Sequence, residues 1–233
     1  RALAATSPTW SSLRFSTRAG TARPASGPVP DDVTTLIVVD DDGLTDEGLY
    51  RIDQFLMRGG SVVLATSPFD VQVSGNLNAS KQESGLDEWL AHHGITVDET
   101  MLLDPQNAAL PVPTERYIGG LALREIRMLP YPHFPDLRSD GLNPDNPITA
   151  SLGQLTLNWA SPIQVDTDKN QARKVIELLH SSENSWTSDS LNLVPDYRAH
   201  PDTGFSVSGE RKSQLLAVAI EGRFDSFYQG KES

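Results

Sequence analysis

The sequence contains no cysteine, which excludes disulfides, thiolate metal sites and a cysteine nucleophile. It also lacks long apolar segments. No uncharged run approaches the roughly 18 to 20 residues that a membrane helix needs, and a run such as residues 36–39 has only the length of a strand. There is no signal peptide with a charged start and an apolar centre. Because the chain begins at Arg1, we expect a processed or excised piece from which flanking membrane segments are left out.

Basic residues are few, and 19 Lys and Arg against 31 Asp and Glu give a formal net charge of -12. A chain this acidic is repelled by nucleic acid and by anionic lipid, so no nucleic-acid partner is predicted. Residues 1–30 differ, since they carry four arginines and no acid. Their Ser, Thr, Ala and Pro content predicts a linker or a loosely attached arm. The remaining residues, 31–233, are predicted to form a single α/β domain.

The first half of that domain has the pattern of a βαβ core over residues 33–104. Residues 34–39 form a β-branched, continuous apolar run, which is typical of a strand buried on both faces. A second such run at 61–66 follows one helix later, and parallel strands need a crossover of this kind. A third strand is expected at 95–103. We therefore predict a Rossmann- or flavodoxin-like, mostly parallel sheet for this half.

The helix between the first two strands is predicted in detail. Thr45 is expected to cap its start, and Gly59-Gly60 to end it. Its buried face is predicted to consist of Leu49, Ile52, Phe55 and Leu56. Asp53 is expected on the solvated face. A shorter helix is predicted to begin with a capping box formed by Ser84 and Asp87.

The second half is rich in proline, with eight of the sixteen prolines between residues 104 and 147. This spacing excludes long helices there. We predict a β-rich extension over 105–233, packed on the same sheet, with strands at 123–129, 154–165 and 215–220. The pattern at 171–180 fits either a helix or a strand.

Motifs for catalysis are absent. No Gly-x-Ser-x-Gly elbow occurs, and no glycine-rich phosphate loop of the Gly-x-Gly-x-x-Gly or Gly-x-x-x-x-Gly-Lys type. His92 and His93 are adjacent and do not have the spacing of a zinc-protease helix, so a surface or helix-end role is expected. No catalytic residue, cofactor or metal is predicted.

One cluster of polar residues is a candidate ligand site. Asp40, Asp41 and Asp42 follow the first strand, while Ser67 and Asp70 follow the second. In open α/β sheets the carboxyl ends of parallel strands are where ligands gather. Carboxylates there suit a hard cation such as Mg²⁺. A solvated turn is the favoured interpretation of the three aspartates, because no lysine or second acidic motif completes a phosphotransfer site.

Several phrases together resemble one family. Residues 36–39, 44–47 and 49–60, with the helix that ends in Gly59-Gly60, are similar to the auxiliary, substrate-binding-like component of gliding-motility-type ABC transport systems. Phrases at 147–149, 178–182 and 217–227 extend the resemblance over about residues 33–228. It implies an extracytoplasmic domain on the periplasmic side, anchored to the inner membrane by flanking helices. It also implies an ABC permease and other membrane subunits as partners, no catalytic residues, and a strand at 171–180.

The hypothesis from sequence is therefore a non-enzymatic extracytoplasmic binding or assembly domain of an ABC transporter complex. Two alternatives stay open at this point. One is a divergent amidotransferase-like or hydrolase-like α/β enzyme. The other is a carbohydrate- or peptide-binding module unrelated to transport. A small ligand fits either binding hypothesis, and its identity is not indicated.

Overall fold

The computed structural model describes residues 10–14, 29, 32–39, 44–73, 77–82, 85–118 and 121–230. Within these ranges strand takes 40% and helix 11%, so the described part is mostly β. The helices are α1 (Asp46–Met57) and α2 (Asp87–His92), and a 3-10 turn spans Ser139–Gly141. The strands are β1 (Trp10–Arg14), β2 (Thr35–Val39), β3 (Ser61–Ala65), β4 (Phe69–Gln72), β5 (Asn78–Lys81), β6 (Ile95–Val97), β7 (Met101–Leu103), β8 (Asn107–Ile118), β9 (Leu121–Leu137), β10 (Leu155–Thr156), β11 (Ile163–Val165), β12 (Lys174–His180), β13 (Trp186–Ser188) and β14 (Leu215–Glu221).

The predicted βαβ unit is present. β2 and β3 pair in parallel, with Leu36 opposite Val62, and α1 connects them. Leu36 and Val38 are almost fully buried, whereas Val39 is 37% exposed and Val63 on β3 is 48% exposed. Burial thus alternates along both strands, and the prediction that they are buried on both faces is wrong. β1 adds a third parallel strand beside β2. Apart from β1 and residue 29, the predicted arm at 1–30 lies outside the described residues.

The prediction of a Rossmann- or flavodoxin-like, mostly parallel sheet is wrong. The parallel sheet stops at three strands, in the order β1-β2-β3. The predicted third strand at 95–103 is broken by polar residues 98–100 into β6 and β7, and each of these pairs antiparallel with a strand from the second half. Because their partners β11 and β13 are distant in sequence, the pattern of 95–103 alone does not reveal them.

The second half does not extend the first sheet, so that part of the fold prediction is also wrong. Its strands form separate small antiparallel sheets: β8-β9-β10, β6-β11, β7-β13 and β12-β14. The predicted strand at 154–165 is two short strands, β10 and β11. Residues 174–180 form a strand, as the resemblance implied, and β14 is where the sequence predicted the closing strand. Among the described residues from 104 to 210 the 3-10 turn is the only helical element, which confirms the exclusion of long helices.

Three apolar clusters make up the core of the described residues. The first lies between the parallel sheet and the two helices and contains Leu36, Ile52, Phe55 and Trp89. The second is a set of leucines beneath β12 and β14, comprising Leu102, Leu137, Leu142, Leu178, Leu179 and Leu216. The third contains Phe69, Ala79, Met101 and Leu193. All three residues of β7 are fully buried, so this short strand contributes to both the second and the third cluster.

The ends of α1 follow the sequence prediction. The Thr45 side chain accepts a hydrogen bond from the Gly48 N–H at 3.2 Å, which satisfies a donor in the first turn. Gly59 has φ +89°, a left-handed conformation that favours glycine at a helix end. A Cβ at Gly60 would overlap the Phe55 ring. The Gly-Gly phrase therefore both ends the helix and leaves room for its largest buried side chain.

Candidate functional site

The predicted ligand site lies where β2 and β3 end. Val39 and Ala65 are paired in register, so the segments that follow the two strands leave from the same edge of the sheet. Asp40, Asp41 and Asp42 lie outside the described residues. The structure therefore locates the strand ends from which this candidate site begins, and it does not describe the three carboxylates.

Ser67 and Asp70 are described. The Ser67 hydroxyl accepts from the Phe69 N–H and donates to the Phe69 carbonyl, both at 3.1 Å, so it stabilises the turn into β4. Asp70 is exposed and pairs with Ser80 in the β4-β5 ladder. Their role in ligand binding stays a prediction.

We predict that the three aspartates bind no cation tightly, because three adjacent acids before a glycine are typical of a solvated turn. Calorimetric titration of the chain with Mg²⁺ and with Ca²⁺ should give no binding in the micromolar range. The Asp40→Ala/Asp42→Ala variant is the control. Micromolar binding that this double substitution abolishes would contradict the prediction and make the strand edge a cation site.

A buried carboxylate on α1 is the most connected polar group of the first cluster. Asp53 is fully buried, which contradicts the expectation of a solvated position. Its Oδ1 accepts from Trp89 Nε1 at 3.1 Å and from the Phe227 N–H at 3.0 Å. Its Oδ2 accepts from the Ser226 hydroxyl at 2.6 Å and from the side-chain amide of the adjacent Gln54 at 3.2 Å. One carboxylate thus joins α1, α2 and the carboxyl-terminal segment.

The segment around Ser226 packs on the two helices through aromatic rings. We call residues 224–228 the carboxyl-terminal clasp. Its Tyr228 ring meets the ring of Tyr50 edge-on, with centroids 5.2 Å apart. Its Phe227 ring lies 5.7 Å from His92. Asp53 therefore has a structural role, holding the clasp against α1 and α2, and its oxygens face donors of the protein instead of an open cavity.

His92 and His93 lie at the end of α2, as predicted, but only His92 is exposed. His93 is 1% exposed, and its ring packs edge-on against Trp89 at 4.3 Å and Phe224 at 5.3 Å. Burial, with further contributions from His92 and Arg173, lowers the pKa of His93 to about 4. The ring is therefore neutral near pH 7.

His133 on β9 is a second buried histidine, packed 4.7 Å from the Phe205 ring. Burial lowers its pKa from 6.5 to about 4. Between those pH values the unfolded chain binds the proton and the folded chain does not. The contribution of His133 to the free energy of unfolding is therefore fully present above pH 6.5 and is lost as the pH falls towards 4.

Between pH 6.5 and 4, we expect His133→Gln to lose about 3 kcal/mol less of its free energy of unfolding than wild type loses. Urea unfolding at several pH values measures the slope for both proteins. The control is His200→Gln, which removes a histidine outside the core. An equal flattening in both variants would contradict the assignment to burial.

Asp104 and a pair of serines hold loops together. Asp104 is 1% exposed and accepts from the Gln106 N–H, the Ser182 N–H and the Ser182 hydroxyl at 2.7 to 2.8 Å. Ser181 and Ser185 share a hydrogen bond of 2.7 Å. Within the described ranges no serine or threonine hydroxyl is hydrogen-bonded to a histidine, the pair that activates such a nucleophile.

The best-formed concave surfaces are two open depressions, not enclosed cavities. One is lined by Leu77, Asn78, Ala79, Leu191, Asn192 and Val194. The other lies beside the 3-10 turn and includes Glu177 and His180, whose side chains are 3.0 Å apart. In the part of the chain that is described, no three His, Asp or Glu side chains are grouped to hold a metal ion. No helix of that part has the length and apolar character to cross a membrane.

Comparison with known families decides the class of the protein. The family described as an ABC-type uncharacterized transport system matches residues 13–233, which is nearly the whole chain. The chain belongs to this family. It is thus related to the auxiliary components of ABC transport systems, which confirms that part of the resemblance noted from the sequence.

One curated relative is an uncharacterized protein of Borreliella burgdorferi. The two sequences are 23% identical over 205 residues, covering 87% of this chain and 38% of the relative. The chain thus spans less than two fifths of that relative. No solved structure matches the chain significantly.

Proposed function

We propose that the chain is a non-enzymatic, extracytoplasmic binding or assembly domain of an ABC transporter complex. The observation that carries the proposal is membership of the transport family over residues 13–233. The partners are an ABC permease and the other membrane subunits of the transporter. The domain is held on the periplasmic side of the inner membrane by segments of the full-length protein that lie outside this chain.

The polar interior supports a role in binding instead of catalysis. A catalytic nucleophile needs an adjacent base and access to substrate. Asp53 and Asp104 are instead surrounded by donors from the backbone, tryptophan and serine. His93 and His133 are enclosed by aromatic rings. The two carboxylates stabilise the fold through these hydrogen bonds, and the surface is left to make the contacts of an assembly domain.

Co-isolation of the transporter tests the proposal. The full-length protein, tagged and expressed in its own organism, is solubilised in mild detergent and purified. We expect the permease and the ATPase encoded with it to be recovered in fixed ratio. Cells that lack the permease gene are the control, and there the ATPase should no longer be recovered. Recovery of the folded protein without permease or ATPase from normal cells would contradict the proposal.

A further inference from the structure

The outer part of the β8-β9 hairpin projects from the body of the domain. We call residues 109–118 and 121–130 the hairpin arm. Four large apolar side chains of its second strand are at least half exposed: Leu121 at 72%, Leu123 at 50%, Ile126 at 70% and Met128 at 58%. Further along the same strand, residues 131–137 are buried, so the arm is anchored in the core.

An isolated arm of this kind is unfavourable in water. Two-stranded hairpins without other support are marginally stable, whereas three or more strands with an apolar face are stable. The exposed apolar residues lie on both faces of the arm, Leu121 and Leu123 on one and Ile126 and Met128 on the other, because successive side chains of a strand alternate. β10 supports β9 only at Leu137 and Asp136, which is at the base of the arm. From residue 122 to residue 128 the outer edge of β9 therefore has no strand partner among the described residues.

Prolines decide which edge of the arm can accept another strand. Pro111 and Pro113 of β8 stand opposite Met128 and Ile126. Since proline has no N–H, the ladder bonds to β9 come from the alternate residues of β8, and the prolines lie on its outer edge. A strand cannot readily add to an edge that carries two prolines.

The same alternation leaves the edge of β9 open. Leu110, Val112 and Thr114 stand opposite Leu129, Arg127 and Glu125, and these pairs carry the ladder bonds between the two strands. The residues that alternate with them therefore direct their backbone polar groups away from β8; on the arm these are Ala122, Arg124, Ile126, Met128 and Pro130. Pro130 has no N–H, and its carbonyl accepts a hydrogen bond from the Tyr197 hydroxyl, so the open stretch of the edge is residues 122–128.

We propose that this open edge pairs with the β9 edge of a second copy of the chain. The two strands run antiparallel about a two-fold axis at Ile126. In this register Glu125 of each copy stands opposite Arg127 of the other, and Leu123 opposite Leu129. Two ion pairs and two leucine pairs form across the axis, and cross-strand pairs of these types stabilise a sheet.

Charge selects this register over its neighbours. An axis at residue 124 places Arg124 opposite its own copy, an axis at 125 places Glu125 opposite itself, and an axis at 127 does the same for Arg127. Like charges directly opposite each other destabilise a sheet. Arg124 retains its own partner within the arm, Glu115 on β8, at 3.5 Å.

The arrangement closes on itself. Pairing of the two arms produces a four-stranded antiparallel sheet whose outer edges are the two β8 strands. Pro111 and Pro113 block both of those edges, so no third copy can add. The arms therefore produce a dimer and not a filament, and the apolar residues Ile126 of the two copies meet at the axis.

Charge reversal on the arm tests the pairing without touching the core. Sedimentation equilibrium of the chain should give a concentration-dependent dimer. Glu125→Arg places two arginines opposite each other, Arg127→Glu places two glutamates, and each single variant should dimerise at least about tenfold more weakly. A one-to-one mixture of the two variants should form a heterodimer of wild-type affinity, because the opposed charges are again complementary. The double variant Glu125→Arg/Arg127→Glu should also recover the wild-type affinity.

Proline substitution identifies the edge. Ile126→Pro removes an outward N–H at the axis while leaving the ladder to β8, so it should abolish the dimer. Ala109→Pro is the matched control, because residue 109 alternates in register with Pro111 and Pro113 and carries no ion pair, and it should leave the dimer intact. Circular dichroism checks that all variants are folded.

A chain that stays monomeric up to about millimolar concentration would overturn the proposal. So would a dimer whose affinity Ile126→Pro leaves unchanged. A mixture of the two charge variants that dimerises no more tightly than either variant alone would also overturn it. A monomeric chain whose arm binds vesicles of anionic lipid would overturn it in favour of a membrane surface.

Discussion

Phe55→Ala will lower the free energy of unfolding by about 3–5 kcal/mol, because it removes a large buried side chain and leaves a cavity. Phe55 is 2% exposed and lies in the first apolar cluster, between α1 and the parallel sheet. The close approach of Gly60 to its ring limits how far the backbone can relax into the space. A domain with a total stability of about 5–15 kcal/mol would be badly weakened.

Denaturant unfolding of wild type and variant measures this loss. Tyr50→Ala is the matched control, since Tyr50 is an aromatic residue of the same helix, is 48% exposed and contacts Tyr228 by its ring edge. We expect the control to lose no more than about 1.5 kcal/mol. Equal losses at the two positions would show that α1 does not pack through Phe55.

The second large effect is expected at Asp53. Asp53→Ala leaves Trp89 Nε1, the Phe227 N–H and the Ser226 hydroxyl without their acceptor. A buried donor without a partner costs about 1–3 kcal/mol, so the loss should reach about 2–5 kcal/mol after partial entry of water. The clasp should also loosen, because two of the four lost bonds hold residues 226 and 227.

Urea unfolding and limited proteolysis test the two parts of this prediction. Glu47→Ala is the control, an exposed carboxylate on the same helix whose ion pair with Arg51 should contribute less than about 1 kcal/mol. We expect Asp53→Ala to be cleaved faster within the clasp, residues 224–228, than either wild type or the control. If Asp53→Ala unfolds with the stability of Glu47→Ala, the carboxylate does not hold the clasp.

The local elements of the first half could be predicted because their signals are local. Thr45, the acidic first turn and Gly59-Gly60 specify α1, and the apolar runs on either side specify β2 and β3. The partners of later strands could not be predicted in the same way. β6 follows α2 as a parallel strand would, yet it pairs with β11, about seventy residues later. Local pattern predicts that a strand exists and does not predict its partner.

The polar interior was harder to predict than the helix that carries it. Asp53 follows Ile52 directly and lies four residues after Leu49, so it borders the apolar face of α1. A polar residue in that position is exposed unless a partner covers it. The partner is Ser226, 173 residues away, and no periodic pattern in the sequence predicts this contact. The burial of His93 was missed for the same reason, since Phe224 of the clasp covers it.

Site-specific cross-linking in intact membranes tests the proposed role most directly. The chain has no cysteine, so a single cysteine can be placed at the exposed Ser190 or Ser208, with cysteines elsewhere in the full-length protein replaced by serine. Ser185→Cys, fully buried, is the control and should not react in the folded protein. We predict that the exposed positions cross-link to extracytoplasmic loops of the ABC permease. Cross-links only to the ATPase or to other cytoplasmic proteins would contradict the account.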